Sequence, residues 1–237
     1  EAAPVASPAS AAPPSAKAAP QVSSKDEVPE LPIRAGGTSR VRVVWSSPPG
    51  SDLYFSLVLR PGLSLSDLPP LTLAVGLAVA DALAHAAPES RVAIKWPNDV
   101  FVNGKKCAGI LVETRSVGLE PAAVIVGIGI NVNRTAFDPD VLPEPTSLAL
   151  VLGAPLDREA LLAQVLLELE RRVTSFVAHG AAVVVSAIEE RLLYRGQPVA
   201  IDDQRGTLLG VDADGALRLR TTTGATVRVL SGRLQPA

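Results

Sequence analysis

At roughly 100–200 residues per domain, a chain of 237 residues holds one or two domains, and with 47% hydrophobic and 19% charged residues it buries a sizeable core rather than staying disordered. Its 22 Lys and Arg against 24 Asp and Glu leave a net charge of −2, which excludes a bulk electrostatic grip on nucleic acid or on an anionic membrane. A single cysteine excludes an internal disulfide scaffold, and with only two histidines beside it a zinc site built on soft ligands is not expected.

The chain starts at Glu1 and contains no methionine, so a native start upstream, or processing, is the expectation. The first twenty residues carry nine Ala, five Pro and three Ser; the prolines remove donors and block continuous turns, and residues 1–33 read as a disordered leader. No basic start precedes an apolar run in these residues, so a secretory signal is not expected and cytoplasm is the default location.

Patterning begins near Arg40. Arg40–Trp45 and Leu53–Leu59 read as strands joined by a turn at Ser47-Pro48-Pro49-Gly50. Leu71 to Ala87 is the longest apolar stretch, shorter than the ~20 residues of a spanning helix and broken by Asp81 and His85, so it reads as a buried core helix ended by Pro88. Val92–Trp96, Val100–Asn103 and Lys105–Thr114 read as strands, the last two joined at the hairpin pair Asn103-Gly104, and Ala122–Asn133 reads as a central, continuously apolar strand.

A Pro-rich connection covers 134–155. Asp157 then caps a helix with Leu161, Leu162, Val165, Leu169, Val173 and Phe176 on one face; Gly180 ends it, and a second helix is expected from Ala182 to Leu193. The last 45 residues read as short strands Gln197–Ile201, Gly206–Val211, Ala216–Thr221 and Ala225–Leu230, with turns at Asp203–Gly206, Asp214-Gly215 and Thr223-Gly224. Four or five short strands at that spacing suggest a small barrel, marginal alone and so packed on the larger domain.

The chemistry concentrates in KWPND, Lys95 to Asp99, at a strand end. An ammonium with Asp and Asn oxygens at a Pro-fixed turn suits an anion and its magnesium, although for five arbitrary polar residues alone a solvated turn is the commoner reading. Gly109 in KKCAGILVE and Gly127 and Gly129 in VGIGIN interrupt otherwise ideal strands, where glycine marks a bulge or close approach of a ligand. With Lys106 they describe a narrow slot floored by backbone and closed by a cation. Cys107 reads as an inert buried thiol.

WSSPPGSDLYFS, KWPND, GKKCAGILVE and VGIGINVN, in this order, resemble the catalytic domain of biotin protein ligases, also called biotin–[acetyl-CoA-carboxylase] ligases, over roughly residues 34–237; TSL at 146–148 and the C-terminal GVDADGAL strengthen the likeness. The related lipoate ligases lack the KWPND run. The resemblance implies an α+β fold: a mixed, largely antiparallel sheet backed by helices over 34–192, shortened at its N-terminal side, then an SH3-like barrel over 193–237. It implies an ATP-dependent ligase that joins biotin and ATP into biotinyl-5′-adenylate and transfers biotin to a lysine of a biotin carboxyl carrier protein. Mg²⁺ accompanies the ATP, and no tightly bound prosthetic group is involved.

Carried over by position, Lys106 is the lysine at the biotin carboxylate and phosphate, and Arg40 is a second catalytic cation. Gly37, Tyr54, Ser56, Gly109, Gly127 and Gly129 line the biotin slot. Trp45, Lys95, Asn98, Asp99 and Asn131 face the nucleotide, with Asp99 near the metal. From the residues alone, Trp45 reads equally as a core aromatic, and Tyr54 and Ser56 as an ordinary strand face.

The likeness breaks at the family's Gly/Arg loop, G-R-G-R-R-G-R, which here is G-T-S-R-V-R-V over Gly37–Val43. Only Gly37 and Arg40 stay in register. Arg34 stands for a glutamine and Asp52 for an asparagine, and the helix and strand upstream of the loop do not fit. The expectation is therefore an impaired ligase, with a degenerate biotin- or adenylate-binding relative as the alternative and an oligomerising scaffold as the third reading. A DNA-binding winged helix is not expected, and sheet-edge pairing in the family leaves a homodimer open.

Overall fold

The structure, a computed structural model, describes residues 47–117 and 120–237. The leader 1–33, the strand at Arg40–Trp45, the altered loop Gly37–Val43 and the site assignments of Gly37, Arg40 and Trp45 lie outside the described residues.

The first sheet is built from β1 (Leu53–Leu59), β2 (Val92–Lys95), β3 (Asp99–Val102), β4 (Lys105–Val117) and β5 (Glu120–Ile130). Their order is β1-β5-β4-β3-β2, and every pairing between these strands is antiparallel. The β3–β4 hairpin turns at Asn103 and Gly104, with φ of 50° and 82°, as that dipeptide demands. Side chains alternate across the sheet. Val124, Val126, Ile128 and Ile130 of β5 are buried toward the helices, while Tyr54 and Leu111 remain exposed on the other face.

Helix α1 (Leu71–Ala86) is apolar nearly all round because it is covered nearly all round, lying between the sheet and helices α3 (Arg158–His179) and α4 (Ala182–Arg191). Its one acid, Asp81, meets Arg171, Arg172 and Arg191 at 2.7, 2.7 and 2.8 Å, so the charge inside the apolar run fastens the three helices together. Asp157 caps α3 by accepting from the N–H groups of Glu159 and Ala160, and Gly180, at φ 76°, ends it. Inside the connection 134–155 lies a five-residue helix, α2 (Leu148–Leu152), capped by Ser147. It is too short to leave a 3.6-residue period in the sequence.

The second sheet comprises β6 (Pro198–Ile201), β7 (Gln204–Val211), β8 (Leu217–Arg220), β9 (Thr226–Val229) and β10 (Leu234–Pro236), in the order β10-β6-β7-β8-β9. The fifth strand, β10, runs antiparallel to β6 at the edge of the sheet, and one expectation is corrected: the β6–β7 turn is Asp202-Asp203 rather than Asp203–Gly206. Gly206 lies within β7 because a Cβ there would stand 2.6 Å from the Arg220 carbonyl oxygen, so glycine is required by close strand approach and not by a turn.

The two sheets join through α4. Glu189 accepts from Arg195 at 3.0 Å and from Arg218 at 3.1 Å, in a notch where a Cβ on Gly210 would collide with the Glu189 carboxylate.

Candidate active site

Lys95 and Asp99 face each other in register at the facing ends of β2 and β3, so Trp96, Pro97 and Asn98 form the turn between them. Asn98 pins that turn to β4 twice: its Nδ2 donates to the Ile110 carbonyl at 2.8 Å, and its own carbonyl accepts from the Ile110 N–H at 2.9 Å. The turn thereby presents Asp99, whose Oδ1 pairs with Lys106 Nζ at 2.6 Å.

Lys95 is buried, with its ammonium 5.7 Å from the centre of the Phe101 ring. Burial holds its pKa below the ordinary lysine value. Asp99 opposes that shift, and the charges of Arg233 and Lys106 add to it. Lys95 thus lies within electrostatic reach of two further cations, Lys106 and Arg233, and of the Asp99 carboxylate that pairs with Lys106. Arg233 carried no signal in the sequence, because it enters from the end of the second sheet, where its Nη2 donates to the Leu142 carbonyl at 3.3 Å.

From this cluster one register row crosses the whole sheet: Lys95 opposite Asp99, Asp99 opposite Gly109, Gly109 opposite Gly129, Gly129 opposite Tyr54. At about 4.8 Å per strand the four steps span roughly 19 Å. The next row sets Leu111 opposite Gly127 and Gly127 opposite Ser56. A Cβ on Gly127 would meet Leu111 and Ser56 at 3.8–3.9 Å, which is ordinary contact, so packing among the described residues does not demand glycine there. Glycine there leaves the position between Ser56 and Leu111 without a side chain, on the sheet face that carries Tyr54. Burial raises the Tyr54 pKa, and the nearby Asp52 charge adds to this.

Lys106 is held along its backbone as well as by Asp99. Its N–H donates to the Glu144 carbonyl at 2.9 Å, and its carbonyl accepts from the Thr146 N–H at 2.8 Å, so segment 144–146 runs alongside it as a strap. Lys105 pairs with Glu144 on the same strap. Asn131 ties the strap down through Nδ2, which donates to the Thr146 carbonyl at 2.9 Å, while its own N–H donates to the Cys107 carbonyl at 2.8 Å. The Asn131 amide nitrogen is thus engaged within the protein, one residue along from Lys106 across the strand pair. Cys107 is fully buried and its thiol is pushed up to about 12 by that burial, which makes it unreactive.

Asp52, immediately before β1, is buried and fully engaged. Oδ1 accepts from Val132 N–H at 2.8 Å, while Oδ2 accepts from Ser47 at 2.7 Å and from Arg134 Nε at 3.1 Å. The charge that replaces an expected amide at this position is therefore matched by Arg134, a partner that sequence reading missed because it lies 82 residues away. Among the described residues no three of His, Cys, Asp and Glu gather into a metal cage, and no helix is long and apolar enough to cross a membrane.

The sequence profile of the Biotin/lipoate A/B protein ligase family matches residues 33–131. The chain is 36% identical over 197 residues to the bifunctional ligase/repressor BirA of Bacillus spizizenii, covering 81% of this chain but 60% of that relative. It is 35% identical over 192 residues to the biotin–[acetyl-CoA-carboxylase] ligase of Paracoccus denitrificans, covering 77% of this chain and 79% of that one. Among solved structures, the biotin protein ligase from Aquifex aeolicus in complex with biotin and ATP aligns with a TM-score of 0.70 at 31% identity, over 79% of each chain.

Proposed function

The chain belongs to the biotin protein ligase family, and from that footing we propose that it is an ATP-dependent biotin–protein ligase. It condenses biotin with ATP to biotinyl-5′-adenylate and pyrophosphate, and then transfers biotin to a lysine of a biotin carboxyl carrier protein.

The observation that carries the reading is the Asp99–Lys106 pair standing at the head of the glycine row. In the first step the carboxylate of biotin must approach the α-phosphate of ATP, and both are anions. Two unit charges 4 Å apart repel by about 4 kcal/mol at an effective dielectric of 20. Lys106 offsets this at the reacting atoms and Lys95 at the neighbouring phosphates, where preorganised charge counts most as the transition state develops. Asp99 holds the Lys106 ammonium in place through Oδ1. Its second oxygen suits a water of the magnesium that travels with ATP, since Mg²⁺ takes only one or two carboxylates and fills its remaining positions with phosphate and water. The bare backbone at Gly109, Gly127 and Gly129 admits a flat ring, with Tyr54 and Ser56 as the opposite wall. In the second step the same cations stabilise the departing AMP phosphate while a neutral carrier lysine attacks the acyl carbon.

Biotin-dependent exchange of pyrophosphate into ATP tests the first step, and labelling of a biotin carboxyl carrier protein tests the second. Absence of both, with biotin still bound in calorimetry, favours the second reading: a relative that holds biotin or its adenylate without turnover. The sequence G-T-S-R-V-R-V at Gly37–Val43 favours that reading, since Thr38, Val41 and Val43 stand where the family carries phosphate-facing arginines and Ser39 where it carries a glycine. Absence of exchange, labelling and binding rejects both.

A further inference from the structure

Within KWPND every polar side chain has a place in the reading above, but Trp96 has none. It is 3% exposed, and burial alone would be served by Phe or Leu. Its indole N–H, however, donates to the Gly215 carbonyl at 2.9 Å, across 119 residues, at the tip of the β7–β8 hairpin.

That acceptor is held firmly. Gly215 N–H donates back to the Asp212 carbonyl at 2.9 Å, closing the hairpin tip. Arg228 braces the tip by binding Asp212 at 2.6 Å and also Asp214. The second sheet itself is locked to α4 by the Glu189–Arg195–Arg218 knot, and the α4 exit is sewn to β2 where Leu193 N–H donates to the Ile94 carbonyl at 2.8 Å. A continuous path of fixed contacts thus runs from α4 through the second sheet to Gly215 and Trp96. A cleft of about 470 Å³ opens beside Trp96 and Pro97, so the turn has room to move if that path is cut.

We propose that Trp96 is a positioning residue: through its indole N–H the second sheet holds the turn that presents Lys95, Asn98 and Asp99, so nucleotide handling at that turn depends on the C-terminal sheet. The proposal rests on the ligase reading for its use in catalysis, but the holding itself can be read without activity.

Two variants attack the bond from opposite ends. Trp96→Phe removes the donor and keeps a buried aromatic. Gly215→Ala leaves Trp96 intact and disturbs the acceptor, because Gly215 sits at φ 86°, where a side chain is strained. Losing one such hydrogen bond is expected to raise the KM for MgATP about fivefold in pyrophosphate exchange, with the KM for biotin within about twofold of the parent. In the ligand-free protein, exchange of the Ile110 amide, which donates to the Asn98 carbonyl, should quicken in both variants, while the amide of Val126 on β5 should not change. If Trp96 only fills space, both KM values stay put, any loss of activity follows the folded fraction, and Ile110 protection is unchanged; that result overturns the proposal. If the parent chain makes no pyrophosphate, the ligase reading fails, and the proposal stands or falls on Ile110 exchange alone.

Discussion

Replacing Lys106 by alanine removes the cation on which the proposed first step turns. Its Nζ lies 2.6 Å from Asp99 Oδ1 and its side chain is 30% exposed, so it is positioned but still touched by water. A unit charge about 4 Å from a phosphate oxygen is worth about 4 kcal/mol at a dielectric of 20, and discounting a third of that for solvent leaves about 2.7 kcal/mol. At 1.36 kcal/mol per factor of ten, Lys106→Ala should slow biotin-dependent pyrophosphate exchange about 100-fold. The loss should fall mainly on kcat, because the charge matters most where repulsion peaks. Part of it comes from the Asp99 carboxylate left without its partner, so adding Asp99→Asn to Lys106→Ala should recover some of the rate. Exchange by Lys106→Ala at the parental rate would refute the assignment of Lys106, and equal losses in kcat and in biotin affinity would refute the transition-state argument.

Gly127→Val should abolish biotin binding in calorimetry yet shift the thermal midpoint by no more than a few degrees, since a Cβ there meets only ordinary contacts; undiminished affinity would remove Gly127 from the site. Asp81→Ala should destabilise the fold by about 2 kcal/mol in urea denaturation, because three arginines from α3 and α4 lose a common partner in a largely covered place; a change below about 0.5 kcal/mol would show that the hub is incidental. Cys107 sets an alkaline limit. Its thiol ionises near 12 in the folded chain against a reference of 9.0, so above pH 9 the unfolded chain holds fewer protons and stability falls as pH rises, by up to about 1.4 kcal/mol per pH unit until about 12. Urea midpoints at pH 8, 9.5 and 11 should show that slope, and Cys107→Ala should flatten it; identical slopes would reject the assignment.

Most elements were legible before any coordinates because their signals are local. The apolar face of α3 repeats at helical spacing behind an Asp cap, the strands alternate, and Asn103-Gly104 forces a hairpin whatever surrounds it. The elements whose residues escaped are α2 and β10, five and three residues long, which exist because neighbours complete their hydrogen bonds: Leu148 and Ala149 donate to the carbonyls of Asn131 and Val132 just beyond β5, and β10 borrows the edge of β6.

The site divides in the same way. KWPND and the glycines at 109, 127 and 129 marked themselves in the sequence, since a charged turn at a strand end and glycine inside an apolar strand are anomalies within a few residues. Which of them line up was decided by register, because only strand pairing puts Lys95, Asp99, Gly109, Gly129 and Tyr54 in one row. Arg233 at the cation cluster, Arg134 beside Asp52 and Gly215 beneath Trp96 belong wholly to the tertiary structure. Their partners lie so far along the chain that no periodicity, cap or turn rule connects them. A residue type records what a side chain can do, and only the packed fold decides which distant group it does it to.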